Sequence, residues 1–328
     1  MKPWHKTILV LLIRAIAWQF IRPYFFQEEK MARAELRKQV EYHFPELALA
    51  SGARYGITKT SRDFPNRPHV LLIHGLDDPG KVWSKLIPEL QERQFNTWVM
   101  LYPNDQPITE SAKFLKNQLS VLKTKGLNEL SIVAHSMGGL VSREMLTNPK
   151  LQCTELSCKD DVVDVEQLIM VGTPNHGSEL ARMRFFGEIR EQLERLINGE
   201  NIWLEWIVDG AGEAGIDLIP DSEFLTSLNA RPHPVSTRYL VIAGIIGKNE
   251  RDRLSQIYQE YFSDEKLLST INTVMDTLGD GLVTVESATL KGVPIETVNG
   301  NHLTIIRNII SDAERIPPAI PLIIEQLE

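Results

Sequence analysis

The chain is poor in cysteine, has no concentrated basic run and has no long uninterrupted apolar stretch, and each shortage narrows what it can be. Only two cysteines occur in 328 residues, Cys153 and Cys158, and they sit close together in a polar segment. No histidine or further cysteine lies at metal-ligand spacing from them, which excludes a zinc framework and a disulfide-dense scaffold. A small disulfide loop and a pair of free thiols both stay open, because the choice depends on the redox compartment. The 35 basic side chains are outnumbered by 43 acidic ones, for a formal charge of −8. With no Lys/Arg cluster to neutralise phosphates, a nucleic-acid partner is excluded. Internal repeats and low-complexity tracts are also absent, so solenoids and linker-dominated chains drop out. What remains is 43% hydrophobic, enough for one large core with a modest second layer of inserted helices.

The N-terminus carries the nearest thing to an apolar run. Thr7 to Ile13 is separated by Arg14 from a second stretch, Ala15 to Ile21, and Arg22 follows. A spanning helix needs about 20 apolar residues, and an arginine near its middle costs a few kcal/mol. On a helical wheel Arg14, Gln19 and Arg22 fall broadly on one side and Leu9, Ile13, Ile16 and Phe20 on the other, as suits an anchor lying in a membrane interface. Two other readings stay open, a signal segment cleaved near Ala15-Ile-Ala17 and a helix packed on the body. We therefore expect residues 1–26 to give a membrane-associated or cell-envelope location, with a cytoplasmic one as the alternative.

Residues 27–66 read as a charged helical linker leading into the fold, and residues 67–328 as the main domain. There, short apolar runs alternate with helical patterns, which predicts a mostly parallel central sheet flanked by helices. The predicted strands are Val70–Ile73, Trp98–Leu101, Leu130–Ala134, Leu168–Val171, Tyr239–Ala243 and Ile295–Val298. The predicted helices are Val82–Arg93, Glu110–Lys125, Met137–Leu146 and His302–Ile310. A stretch of about 178–234 interrupts the alternation with helical patterns such as Phe185–Ile197 and with Trp203, Trp206 and Ile207. An insertion of that length is expected to be a helical cap, either a mobile lid or an ordinary packed subdomain.

The chemistry is concentrated at Leu130-Ser-Ile-Val-Ala-His-Ser136-Met-Gly-Gly, where a buried-type strand runs through a serine into a helix. A serine there sits on a tight turn, exposed and next to a helix N-terminus. Small residues must flank it, and Ala134 and Gly138 do. A hydroxyl needs a base to become a nucleophile, and the base needs a carboxylate to fix its tautomer and stabilise the imidazolium. His302 opens the segment after the last predicted strand, and Asp280 lies in the Gly-flanked loop Gly279-Asp-Gly-Leu-Val-Thr. Serine, acid and base thus come in the order Ser136, Asp280, His302. The strand ending in His74-Gly75-Leu76 offers the Leu76 N–H, and Met137 follows the serine, so these two backbone groups are the expected oxyanion hole. His74, His135 and His176 are read as structural rings.

The His-Gly-Leu loop, the Ala-His-Ser-Met-Gly-Gly turn, Gly172-Thr-Pro-Asn-His-Gly-Ser178 and the Gly-Asp-Gly-Leu-Val-Thr loop occur in that order over roughly residues 68–312. Together they resemble bacterial triacylglycerol lipases and lipase-like esterases, as does Asp217-Leu-Ile-Pro-Asp-Ser-Glu-Phe-Leu-Thr-Ser-Leu-Asn229 near the end of the cap. The resemblance implies the α/β-hydrolase fold and carboxylic ester hydrolysis through an acyl-enzyme, on a small-molecule ester or lipid substrate, with no organic cofactor. Some relatives hold a structural calcium, so the resemblance leaves one open here, with no ligands assigned. Lipid-remodelling deacylases and acyltransferases share parts of the motifs, so acyl transfer or thioester cleavage is the alternative on the same triad. A silent scaffold that binds lipid or a partner stands further off.

Overall fold

The computed structural model describes residues 55–76, 80–104, 106–151, 162–178, 213–247, 279–308 and 314–328. The compact unit they belong to begins at Tyr55 and runs to Glu328. The N-terminal segment 1–26, Cys153 and Cys158, and the cap patterns at Phe185–Ile197 and Trp203–Ile207 lie outside the described residues.

Among the described residues seven strands form one sheet: β1 (Gly56–Lys59), β2 (His69–Ile73), β3 (Asn96–Leu101), β4 (Glu129–His135), β5 (Asp164–Val171), β6 (Arg238–Ile245) and β7 (Ile295–Asn299). Their order is β1-β3-β2-β4-β5-β6-β7. Every pairing is parallel except β1 with β3. The helices are α1 (Leu86–Glu92), α2 (Ile108–Thr124), α3 (Met137–Thr147), α4 (Glu213–Asp217), α5 (Glu223–Asn229), α6 (Val285–Ala288) and α7 (Ala319–Leu327). None is long and apolar enough to cross a membrane.

The continuous apolar runs of the central strands follow from burial on both faces. Alternate residues divide between two cores. Leu71, Ile73, Ile132, Ala134, Leu168 and Met170 pack with α2 and α3 through residues such as Leu115, Leu119 and Leu140. Val70, Leu72, Val133, Ile169 and Val171 pack on the other side with Trp83, Leu86, Leu90, Ile320 and Ile323. The register then aligns the carboxyl ends: Ile73 lies beside Ala134, His135 beside Val171, and Ile245 beside Asn299. Loops that leave this edge converge, as they do at the binding edge of open parallel sheets.

Besides the single turn α6, which no pattern announced, the structure departs from the sequence expectations in four places. β1 falls within 27–66, the segment expected to lead into the fold. The helix predicted over Val82–Arg93 is a 3-10 turn, Lys81–Trp83, followed by α1. Pro88 is the reason, since it has no N–H and its ring would meet the carbonyl of Ser84 in an unbroken helix, whereas in the first turn of α1 neither matters. The helix predicted over His302–Ile310 is a series of turns through Arg307. Asn301 Oδ1 accepts from the N–H groups of Leu303 and Thr304 at 3.1 and 3.0 Å, which starts a helical turn. The Ile305 carbonyl accepts from the Ala319 N–H at 2.9 Å, a tie to α7 in place of a rung of its own helix, and residues 309 and 310 of the predicted helix lie outside the described residues. Finally, α7 was not expected, and it buries Ala319, Ile320, Ile323 and Ile324 against the α1 face.

Candidate active site

β4 runs buried to His135 and turns at Ser136 into α3. Ser136 has φ 53° and ψ −129°, a region that strains any residue with a Cβ by about 1–3 kcal/mol. Surrounding structure holds it there. Its N–H donates to the Val171 carbonyl at 2.9 Å, and its own carbonyl accepts from Thr173 Oγ1 at 3.0 Å. Close approach dictates the glycine that follows Met137, because a Cβ on Gly138 would lie 2.4 Å from the Ile73 carbonyl oxygen. Ser136 remains partly exposed while its neighbours from Ile132 to Met145 are otherwise buried. Between Ile132 and Met145 the serine is therefore the one position that solvent reaches.

Asp280 and His302 are brought together. His302 Nδ1 lies 2.8 Å from Asp280 Oδ2, and the second carboxylate oxygen, Oδ1, accepts from the backbone N–H groups of Leu282 and Val283 at 2.9 and 2.7 Å. The His302 N–H donates to the Asp280 carbonyl at 2.9 Å. Asp280 is 1% exposed and His302 6%. A buried carboxylate that accepts from three donors is held rigidly as an anion acceptor for the ring.

The pair lies beside Ser136. Val171, which receives the Ser136 N–H, is followed by Gly172, whose Cα faces the pair: a Cβ there would lie 3.1 Å from His302 Nδ1 and 3.2 Å from Asp280 Oδ2. His135, directly before Ser136, has its ring centroid 4.7 Å from that of His302. Among the described residues the Ser136 hydroxyl makes no hydrogen bond to His302.

The third wall is the loop at His74, Gly75 and Leu76. A Cβ on Gly75 would lie 3.2 Å from Ser136 Oγ, so this backbone runs across the serine hydroxyl. The loop is pinned. Tyr102 Oη donates to the His74 carbonyl at 2.7 Å and Asn104 Nδ2 to the Gly75 carbonyl at 3.1 Å, while the Tyr102 ring stacks on His74 at 4.7 Å. His74 Nδ1 also lies 2.8 Å from the Gly75 carbonyl, the structural role expected of it. Among the described residues neither the Leu76 nor the Met137 N–H bonds a carbonyl. Helix geometry leaves Met137, at the start of α3, without an intrahelical acceptor.

Behind the site, sequence reasoning missed a polar hub. Arg143, 1% exposed, donates to Asn175 Oδ1 at 3.0 Å and to Asn229 Oδ1 at 2.9 Å. Asn175 Nδ2 donates to the Ala288 carbonyl at 2.7 Å, and Asn229 Nδ2 to the Asn175 carbonyl at 2.9 Å. Burial pulls the guanidinium down to about 10. The hub joins α3 to the loop after β5, to α6 and to the end of the cap insertion. Its signal in the sequence is the charged pair Arg143-Glu144 inside a helix whose other positions from Met137 to Leu146 are small or apolar. His176 meets Asn229 Nδ2 at 3.3 Å and belongs to this hub, a structural role as expected. The cap's end is fixed again where Asp217 Oδ2 accepts the Ile108 N–H at 2.9 Å and the Leu218 carbonyl accepts the Ser178 N–H at 2.9 Å. Among the described residues no group of three or more His, Cys, Asp or Glu side chains is placed to hold a metal ion.

A family model described as a domain of unknown function, DUF7379, matches residues 106–289. No curated protein matches the chain by sequence. Among solved structures, the mature form of the lipase BlEst2 from Bacillus licheniformis is similar at a TM-score of 0.56 and 19% identity, over 84% of this chain and 98% of that one. The Staphylococcus hyicus lipase gives 0.52 and 13%, over 81% and 96%. The phospholipase PlaB from Legionella pneumophila gives 0.53 and 15%, over 80% of this chain and 60% of its own. With the sheet order and flanking helices above, these likenesses establish the α/β-hydrolase fold.

Proposed function

We propose that this chain, which belongs to the DUF7379 family, is a serine hydrolase that cleaves carboxylic esters of lipid or acyl type through a Ser136–His302–Asp280 triad. One observation carries the reading: a buried His302–Asp280 pair lies at the same sheet edge as a strained, solvent-reachable serine at a helix N-terminus. The solved lipases and the phospholipase that share the fold support an ester as the substrate class.

In the proposed reaction the substrate complex brings Ser136 Oγ onto His302 Nε2, a contact that substrate-free enzymes often hold loosely. Nε2 takes the hydroxyl proton as Oγ attacks the ester carbonyl. The carbonyl oxygen becomes an oxyanion, stabilised by the N–H groups of Leu76 and Met137. Collapse breaks the bond to the alcohol, which leaves with the proton from Nε2. Water then attacks the acyl-serine, His302 again holds the proton in transit, and the carboxylic acid departs. Throughout, Asp280 keeps Nδ1 protonated and offsets the imidazolium charge. The steps use only the chain's own residues and water. Attachment to a membrane or the cell envelope through residues 1–26 belongs to the same proposal and rests on their basic start and two apolar runs.

A fluorophosphonate probe tests the chemistry. It should label folded wild type at Ser136 and leave Ser136→Ala unlabelled; a wild type that stays unlabelled beside a reactive control esterase overturns the reading. Competing alcohols and acyl thioesters in the product assay separate hydrolysis from transfer. Fractionation of the full chain against one lacking residues 1–26 tests the attachment, and equal partitioning refutes it.

A further inference from the structure

We propose that His135 is a positioning residue for this reaction: its buried side chain fastens the backbone of the base to the residue that precedes the nucleophile, and so sets Ser136 and His302 against each other. The inference rests on the serine-hydrolase reading above.

His302 stands in a run of turns, where no strand or helix ladder holds its backbone. Three bonds replace that ladder. Its N–H donates to the Asp280 carbonyl at 2.9 Å, its ring Nδ1 meets Asp280 Oδ2 at 2.8 Å, and its carbonyl lies 3.0 Å from His135 Nε2. The first two bonds come from the acid loop. Only the third comes from the β4–α3 turn that carries the serine. A carbonyl can only accept, so His135 Nε2 carries the proton and the tautomer is fixed.

The surroundings keep this donor neutral and in place. His135 is 2% exposed, and the edge of the Trp83 ring stands behind it at 6.5 Å. Nδ1 is buried without a partner, so a second proton would have no acceptor. Burial above all pulls the imidazole down to about 3, and the charged or titratable groups that act on it, His302, Arg307 and His74, disfavour another positive charge and outweigh the upward pull of the bond to the His302 carbonyl. The ring therefore donates the same bond whether His302 is neutral or an imidazolium.

The test uses the full chain. His135→Phe keeps a ring without a donor, His135→Gln keeps a donor of similar reach, and His135→Asn keeps an amide that falls short. With a p-nitrophenyl acyl ester, Phe and Asn should lower kcat about tenfold to a hundredfold, the range expected when a catalytic group is misplaced by a fraction of an ångström to one ångström. KM should hold within about twofold, and the pH–rate profile should change shape. Gln should recover most of kcat. Circular dichroism and melting show which variants fold, and Asn carries the comparison where Phe does not. A folded Phe or Asn variant with wild-type kcat and profile overturns the inference, as does a Gln variant no better than Phe. Wild type that labels at Ser136 while His135→Phe labels equally fast sinks the positioning role alone; unlabelled wild type sinks the hydrolase reading and this inference with it.

Discussion

Asp280→Asn separates the orienting carboxylate from the fold around it, because the site dictates which way the amide must lie. Oδ1 receives two backbone donors, Leu282 N–H at 2.9 Å and Val283 N–H at 2.7 Å. Oδ2 receives one, from His302 Nδ1 at 2.8 Å. An asparagine that turned its NH2 toward Leu282 and Val283 would set donors against two donors. Its oxygen therefore takes the Oδ1 place, and the NH2 faces His302. The imidazole must then accept at Nδ1 and carry its proton on Nε2, where it can no longer take one from Ser136. The charge that would offset the imidazolium is lost as well. Together these should lower kcat/KM by about 10⁴-fold, which at about 1.36 kcal/mol per factor of ten is about 5.4 kcal/mol of transition-state stabilisation. Stability should change far less, by about 1 kcal/mol, since the two backbone bonds survive in neutral form and the third persists with its direction reversed. Ester turnover, the rate of fluorophosphonate labelling and a melting curve on the same preparation measure all three quantities. Turnover within tenfold of wild type, in a variant that melts normally, would show that another group orients His302.

The strain at Ser136 can be measured against its chemistry. Its side chain forms no hydrogen bond among the described residues, so Ser136→Ala loses the reaction but keeps the Cβ in its unfavourable φ, whereas Ser136→Gly relieves it. Ser136→Gly should melt above Ser136→Ala by an amount equivalent to about 1 kcal/mol, and the reverse order would deny the strain. Acid sensitivity should report on His135. Its folded pKa of about 3 lies below the ordinary 6.5, so between those values the unfolded chain binds one more proton than the native one. The native state is favoured in full above pH 6.5 and loses about 1.4 kcal/mol for each unit of pH below it. Burial also lowers His69 and His233, but these are common to both proteins in a comparison with His135→Gln. The Gln variant should therefore show a shallower fall in urea stability between pH 6 and 4.5, and parallel slopes would refute the reasoning.

Strands buried on both faces were legible because their composition needs no partner to interpret. Val70-Leu-Leu-Ile73 and Leu130–Ala134 are apolar at every position, or nearly so, whichever core each residue enters. β1 was not, for Gly56-Ile-Thr-Lys59 is a short strand whose only pairing among the described residues is to β3, and its identity lies in that pairing rather than in its residues. The same division runs through the site. The proposed triad, Ser136, Asp280 and His302, is suggested by chemistry and chain order, while Tyr102, Asn104, Thr173 and Arg143 act on carbonyls and amides contributed from elsewhere in the chain, a role no local pattern announces.

Ala134 shows how far a motif can mislead and how packing corrects it. As a string, Ala134-His-Ser136-Met-Gly138 presents two small flanking positions that look equivalent. In the fold the two positions differ. Ala134 lies in β4 beside Ile73 and Met170, and its methyl group enters the core formed with α2 and α3, where extra carbon is buried usefully. Gly138 lies against the Ile73 and His74 carbonyl oxygens, 2.4 and 2.7 Å from where a Cβ would stand. Only the second position requires glycine, so the alanine is a packed residue of the core, and the tightness that holds the serine in its strained turn comes from the helix side.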